Sequence, residues 1–318
     1  MTFTHDVAAF GETMAMFVAT ECGDLDQVTQ FSKRIAGADS NVAIGLSRLG
    51  LRVAWLSRVG DDSLGRFILA TLAEEGLDCS HVRIDSEHPT GFQLKERRDD
   101  GLDPRVEYFR RGSAASHLSL SDFDPELFLG ARHLHCTGIP PALGERVREL
   151  SRHAMQMMRA AGRSVSFDTN LRPGLWPDQA TMIHEVNGLA ALADWVLPGI
   201  EEGRLLTGQE TPEAIADFYL ERGVGEVVVK LGAEGAFYKS ATERFHTPCA
   251  RVEHVVDTVG AGDGFASGFI SARLEGLDAR AAVTRGTLVG ACAIQVAGDM
   301  EGLPTRIELD ALISTQQS

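Results

Sequence analysis

Asp257-Thr-Val-Gly-Ala-Gly-Asp-Gly-Phe-Ala-Ser-Gly-Phe269 passes from polar residues through a glycine turn into an apolar stripe at helical spacing. Such a passage predicts a helix N-terminus, where the first amides have no partner within the helix and the helix dipole adds positive potential. With only small residues at Gly260, Ala261 and Gly262, those N–H groups stay open to an anion, so the turn predicts a phosphate site. Asp263 then has two readings. An acidic residue stabilises the first turn of a helix and can complete its cap. An aspartate beside a bound phosphate can also take the proton of a hydroxyl attacking that phosphate, as the catalytic Asp of protein kinases does. The segment by itself fits both.

Two other nucleotide signatures fail. The chain contains no Gly-Lys dipeptide, which excludes a Walker A loop. Phe265 stands where a dinucleotide fingerprint needs its third glycine, which disfavours a Rossmann dehydrogenase.

Outward from this segment, short apolar runs at residues 7–10, 53–56, 133–136, 164–167, 195–197 and 227–230 alternate with helical patterns. That alternation predicts an α/β fold, with a mostly parallel central sheet covered by helices on both faces. Residues 41–49 place Val42, Leu46 and Leu49 on one stripe and stop at Gly50, a favoured residue just past a helix end. Two stretches break the alternation: residues 13–35, and the pair 91–97 and 105–110 joined by the turn-rich 99–104. They predict a small separate β-sheet serving as a lid over residues 1–12, 37–88 and 113–318, with the lid itself at 13–36 and 89–112. A lid suits phosphoryl transfer because it excludes the water that would otherwise hydrolyse the nucleotide.

The 318 residues are enough for one extensive core with a smaller appendage, and 44% apolar with 24% charged residues is ordinary for a folded enzyme. A formal net charge of -15 disfavours broad attraction to nucleic acid or anionic lipid. Five scattered cysteines with no Cys-x-x-Cys pair suggest neither a disulfide framework nor a thiolate zinc site, and reduced thiols fit a cytoplasmic protein. The N-terminal residues lack the basic start and apolar run of a signal peptide, and no apolar stretch approaches the roughly 20 residues a bilayer span needs.

Four segments together resemble the ribokinase-like, or PfkB, carbohydrate kinases: Gly37-Ala-Asp-Ser-Asn41-Val-Ala43, Arg58-Val-Gly-Asp-Asp62, Val229-Lys-Leu-Gly-Ala-Glu-Gly235 and Asp257-Thr-Val-Gly-Ala-Gly-Asp263. They stand in the family's order and span nearly the whole chain. The resemblance implies a ribokinase-like fold, with ATP as co-substrate and Mg²⁺ as cofactor, and leaves a monovalent cation open. It also implies Asp263 as the base, with residues 260–262 as the anion hole. Gly37 and Asn41 would contact sugar hydroxyls, although Asn41 is also a good cap or turn residue. Asn170, Lys230, Gly232, Gly235 and Thr287 would contact the nucleotide. Glu202 would act on magnesium through water, in a motif where Gly199 replaces the family's Asn. The partners implied are small molecules, and a lid sheet that pairs with its twin implies a homo-oligomer.

Within the family, Pro89-Thr-Gly-Phe-Gln-Leu-Lys95, Tyr108-Phe-Arg-Arg-Gly-Ser-Ala114, Asp168-Thr-Asn-Leu-Arg172 and Gly298-Asp-Met-Glu-Gly302 are similar to 2-keto-3-deoxygluconate kinases. That likeness implies a sugar acid as substrate, with its carboxylate on Arg110 and Arg172, and with Tyr108, Gln93 and Asp299 as further contacts. Gln93 departs from the pattern, which has an aromatic residue there. Asp299 also reads simply as a turn aspartate. A kinase for a neutral sugar or another sugar acid, and a sugar-binding regulatory protein without turnover, remain the alternatives.

Overall fold

The computed structural model describes residues 3–98, 104–252 and 254–316. A nine-stranded sheet runs in the order Arg244–Thr247, Ala236–Ser240, Glu226–Lys230, Trp195–Val196, Ser164–Asp168, Ala131–Thr137, His5–Phe10, Val53–Gly60, Asp78–Asp85. Seven of these strands are parallel; the two at the Arg244 edge are antiparallel. Successive side chains of one strand point to opposite faces, so buried parallel strands must be apolar on both. Val7 and Ala9 accordingly join a core with Trp55 and Phe269, while Ala8 and Phe10 join a second core with Phe128 and Phe167.

A second sheet of four strands has the order Phe31–Ala36, Met14–Cys22, Phe92–Arg97, Val106–Phe109. The two central strands are parallel and the outer pairings antiparallel. The stretch read as 13–35 is thus two strands, and most of the connection at 99–104 lies outside the described residues. The helix expected over 41–49 begins three residues earlier, as Ala38–Arg48 with Gly37 at its N-cap.

The helix Ala261–Leu274 grows from the quoted turn and packs on Ala279–Ala293 through glycines. A Cβ at Gly268 would lie 2.7 Å from the Arg285 carbonyl oxygen and 3.0 Å from Gly286 Cα. Gly264 meets Val289 and Gly290 in the same way. The small residues after Asp263 therefore let two backbones approach, which fixes the axis of the helix whose N-terminus faces the cleft.

Candidate active site

The carboxyl ends of the parallel strands, where open α/β sheets form their binding crevices, border a cleft of about 470 Å³. Gln93, Lys95 and Tyr108 of the small sheet line it together with Asn41, Lys230 and Asp263.

Gly260 forms the N-cap of Ala261–Leu274 with φ 83°, and a Cβ there would sit 2.4 Å from the Asp299 carbonyl oxygen, so both the left-handed backbone and the close approach require glycine. No side chain caps this helix. The Asp263 carboxylate instead accepts a hydrogen bond from Asn41 Nδ2 at 2.8 Å and a long one from Asn170 Nδ2 at 3.4 Å. Of the two readings of Asp263, helix capping is the one this geometry does not supply. Burial pushes the Asp263 carboxyl up to about 7; the Asn41 hydrogen bond and the Lys230 ammonium oppose the rise, and the charges of Asp168 and Asp299 add to it. A carboxylate that ionises near neutral pH has the basicity general-base catalysis uses.

Asn170 is the one non-glycine with positive φ, 33°, among the described residues. It stands beside Asp263 and lines the cleft. Lys230 Nζ lies 2.5 Å from Asp168 Oδ2, and a Cβ on Gly262 would be 3.4 Å from that ammonium. Burial opposes the Lys230 charge, but Asp168 and Glu202 more than reverse the effect, so the lysine is a fixed cation beside the turn at residues 260–262.

Arg110 is buried, and its Nε and one terminal nitrogen meet Glu12 Oε2 at 2.7 and 2.5 Å. Ser113 Oγ donates to the other Glu12 oxygen at 2.5 Å. Glu12 thus fixes the plane of the guanidinium and leaves its remaining donors uncommitted. Arg172 donates to the Leu171 carbonyl at 2.8 Å and lines the same cleft. Tyr108, Arg110 and Arg172 also line an adjoining cavity of about 530 Å³.

The model of the family described as pfkB family carbohydrate kinase matches residues 4–306. The chain belongs to this family. As a pfkB carbohydrate kinase it is a phosphotransferase with an alcohol group as acceptor. It is 54% identical over 314 residues to the 2-dehydro-3-deoxygluconokinase of Bacillus subtilis (strain 168), covering 98% of this chain and 97% of that protein. A PfkB protein from Polaromonas sp. JS666 superposes with TM-score 0.90 at 52% identity, covering 97% of this chain and 100% of the other. A fructokinase from Vibrio cholerae O395, solved with fructose, ADP and calcium, superposes with TM-score 0.83 at 29% identity over 96% of this chain and 98% of the other.

Of the residues that the pfkB resemblance nominated, Asn170, Glu202, Lys230 and Asp299 line the cleft and three others do not. Gly232, Gly235 and Thr287 are not among the residues lining the cleft. Gly232 and Gly235 shape the short turn after Lys230, and Thr287 Oγ1 donates to the Thr284 carbonyl within its own helix. Glu202 does line the cleft, but its oxygens already accept from Thr169 Oγ1, Leu171 N and Gly199 N, at 2.6, 2.7 and 2.9 Å. It caps its own helix and ties down the loop that carries Asn170. Asp299 is paired to Lys95 at 3.0 Å. Gly37, Asn41, Gln93, Tyr108, Arg110, Arg172 and Asp299 all come to one cleft with Gly260, Gly262 and Asp263.

Glu12 went unnoticed in the sequence, and Asp168 and Lys95 stood in quoted segments without a role of their own. Glu12 had one signal, its place two residues past the end of the first strand, at the edge of the sheet where binding crevices form.

Proposed function

We propose that this kinase transfers the γ-phosphoryl group of ATP to the primary hydroxyl of 2-keto-3-deoxygluconate, also called 2-dehydro-3-deoxygluconate, yielding ADP and 2-keto-3-deoxy-6-phosphogluconate. The observation that carries the proposal is the joining, in one cleft, of the Asp263 carboxylate at a helix N-terminus with the buried Arg110 and the exposed Arg172. A neutral sugar does not need two guanidinium groups. The Bacillus subtilis relative's name supports the same substrate.

Arg110 and Arg172 hold the sugar carboxylate, and Asn41 and Gln93 contact hydroxyls. Asp263 takes the proton of the primary hydroxyl as that oxygen attacks the γ-phosphorus in line. The new P–O bond forms, the bond to the β-phosphate oxygen breaks, and ADP leaves. The amides of residues 260–262 and the Lys230 ammonium stabilise the charge on the transferring group. The small sheet, acting as a lid over the cleft, excludes water.

Among the described residues no cluster of three or more His, Cys, Asp or Glu side chains could hold a metal by itself. That fits magnesium, which binds through one or two carboxylates together with substrate phosphates and water. Of the carboxylates bordering the cleft, Asp168 and Glu202 would take part through the ion's bound water, since Lys230 and the Thr169, Leu171 and Gly199 donors already engage them, and magnesium would supply charge neutralisation at the phosphates. Dependence of turnover on potassium tests a further, monovalent cation site.

Gln93, where the subgroup has an aromatic residue, favours a second reading, another sugar acid or a neutral sugar. Arg172→Ala and Arg110→Ala separate the two. Each is expected to weaken kcat/KM for the sugar acid by at least about tenfold more than for fructose, since a lost charged hydrogen bond is worth about 1.5–3 kcal/mol. Equal losses on both sugars exclude carboxylate recognition.

We further propose a homo-oligomer formed through the small sheet, where Phe92 and Phe109 stack at 4.7 Å and Phe109 is about half exposed. Light scattering tests it, and a monomer in solution refutes it. We propose that it works in the cytoplasm, a reading that its need for ATP and its free cysteines support.

A further inference from the structure

Lys95 has no part in the reaction as written, yet it is a charged side chain buried in the cleft wall, 3% exposed. It alternates with Gln93 on the strand Phe92–Arg97, so both reach the cleft from one face of the small sheet. Its Nζ lies 2.7 Å from Asp257 Oδ2 and 3.0 Å from Asp299 Oδ1.

These two carboxylates belong to the two segments that build the phosphate-binding turn. Asp257 opens the turn, and its Oδ1 accepts the Val259 N–H at 3.1 Å. Asp299 contributes the carbonyl that would lie 2.4 Å from a Cβ on Gly260. One ammonium therefore fastens the small sheet to both sides of the anion hole.

The same contacts shape the field. Burial penalises the Lys95 charge, but Asp299 and Asp257 outweigh that penalty and hold the lysine protonated beyond its ordinary range. Asp299 in turn is pushed up by burial, drawn down by Lys95, and pushed up again by Asp257 and Glu301. Asp263 is faced by Asp299, by Asp168 and Lys230 from the sheet, and by Asp39 from the helix Ala38–Arg48. Without Lys95, two uncompensated carboxylates would border the place where both the base and an anionic sugar must sit.

We propose that Lys95 is a positioning residue for phosphoryl transfer, locking the small sheet onto the phosphate-binding turn while its charge offsets Asp257 and Asp299 beside Asp263 and the sugar acid. The proposal rests on Asp263 being the base. It predicts that lid closure, anion-hole geometry and the pH range of turnover change together when this one side chain changes.

The test is the pH profile of kcat/KM for Lys95→Met and Lys95→Arg, together with Lys95→Met/Asp257→Asn, which does not leave both carboxylates unpaired and so guards against a variant that fails to fold. Lys95→Met is expected to lose at least about tenfold at pH 7 and to move the acid limb up by about one pH unit, a tenfold change in the ratio of ionised to protonated base. Lys95→Arg should restore most of the rate and the wild-type limb, and the double variant should return the limb part-way. A wild-type limb in Lys95→Met, or a limb that stays displaced in both rescues, overturns the proposal. If the wild type phosphorylates some other sugar instead, the substrate assignment fails separately and the same profiles are read with that sugar.

Discussion

Replacing Asp263 with Asn should slow turnover by orders of magnitude and yet make the protein more stable. The carboxyl is pushed from an ordinary 3.8 to about 7 in the native state, chiefly by burial. Because its folded pKa lies above its unfolded one, the native state holds the proton more tightly than the unfolded chain does. Wild-type stability is thus fully present below the unfolded pKa and is lost as pH rises through the folded one. A shift of roughly three units, at 1.36 kcal/mol each, makes the ionised carboxylate cost about 4 kcal/mol at pH 8. The Asn variant lacks that cost, and its Oδ1 can still accept from Asn41. With an unfolding entropy of about 2.1 cal/mol/K per residue, the gain for this chain is about 6 °C in melting temperature. Thermal melts of ligand-free wild type and Asp263→Asn between pH 4 and 8 test this. The two curves should nearly coincide at pH 4 and separate steadily above pH 5, while the rate falls about 10² to 10⁴-fold. A variant that melts at or below the wild type at pH 8 refutes the claim that the fold holds this carboxylate at a cost.

Two further perturbations follow from the same geometry. Asn41→Ala removes the 2.8 Å hydrogen bond that favours the ionised form of Asp263, so kcat/KM should fall several-fold more at pH 7 than at pH 9, where only the lost sugar contact remains, read from a pH–rate profile. Gly268→Leu forces a side chain into the Arg285 carbonyl and Gly286, and should cost more than about 3 kcal/mol in denaturant unfolding, with little folded protein at 37 °C.

The main sheet was legible because its strands are short, apolar and separated by helical patterns, and the six strand segments read from the sequence all lie in it. The start of Ala38–Arg48 was less so, because its first turn is Ala38-Asp39-Ser40, polar yet buried, and carries no amphipathic signal. The turn at residues 257–263 announced a helix N-terminus through local chemistry alone. Gly264 and Gly268 hid a second role, since nothing in the segment shows that another helix lies against them.

The site's ion pairs were illegible for a different reason. Lys95 meets Asp257 and Asp299 across 162 and 204 positions, and Arg110 meets Glu12 across 98. Such pairings depend on how the small sheet docks, which no local pattern encodes. Arg110 was read as free to grip a carboxylate, whereas the fold spends part of its fork on Glu12. Gly232, Gly235 and Thr287 were carried by resemblance alone, and the cleft does not include them.

The central claim is that Asp263 activates the primary hydroxyl of a sugar acid held by Arg110 and Arg172. ATP-dependent phosphorylation of 2-keto-3-deoxygluconate, measured beside gluconate, fructose and ribose, tests it most directly. The account predicts kcat/KM for 2-keto-3-deoxygluconate at least about a hundredfold above the neutral sugars, the worth of roughly 3 kcal/mol in carboxylate contacts, with the phosphate on the primary hydroxyl. Turnover of fructose or ribose equal to or better than that of 2-keto-3-deoxygluconate would contradict it.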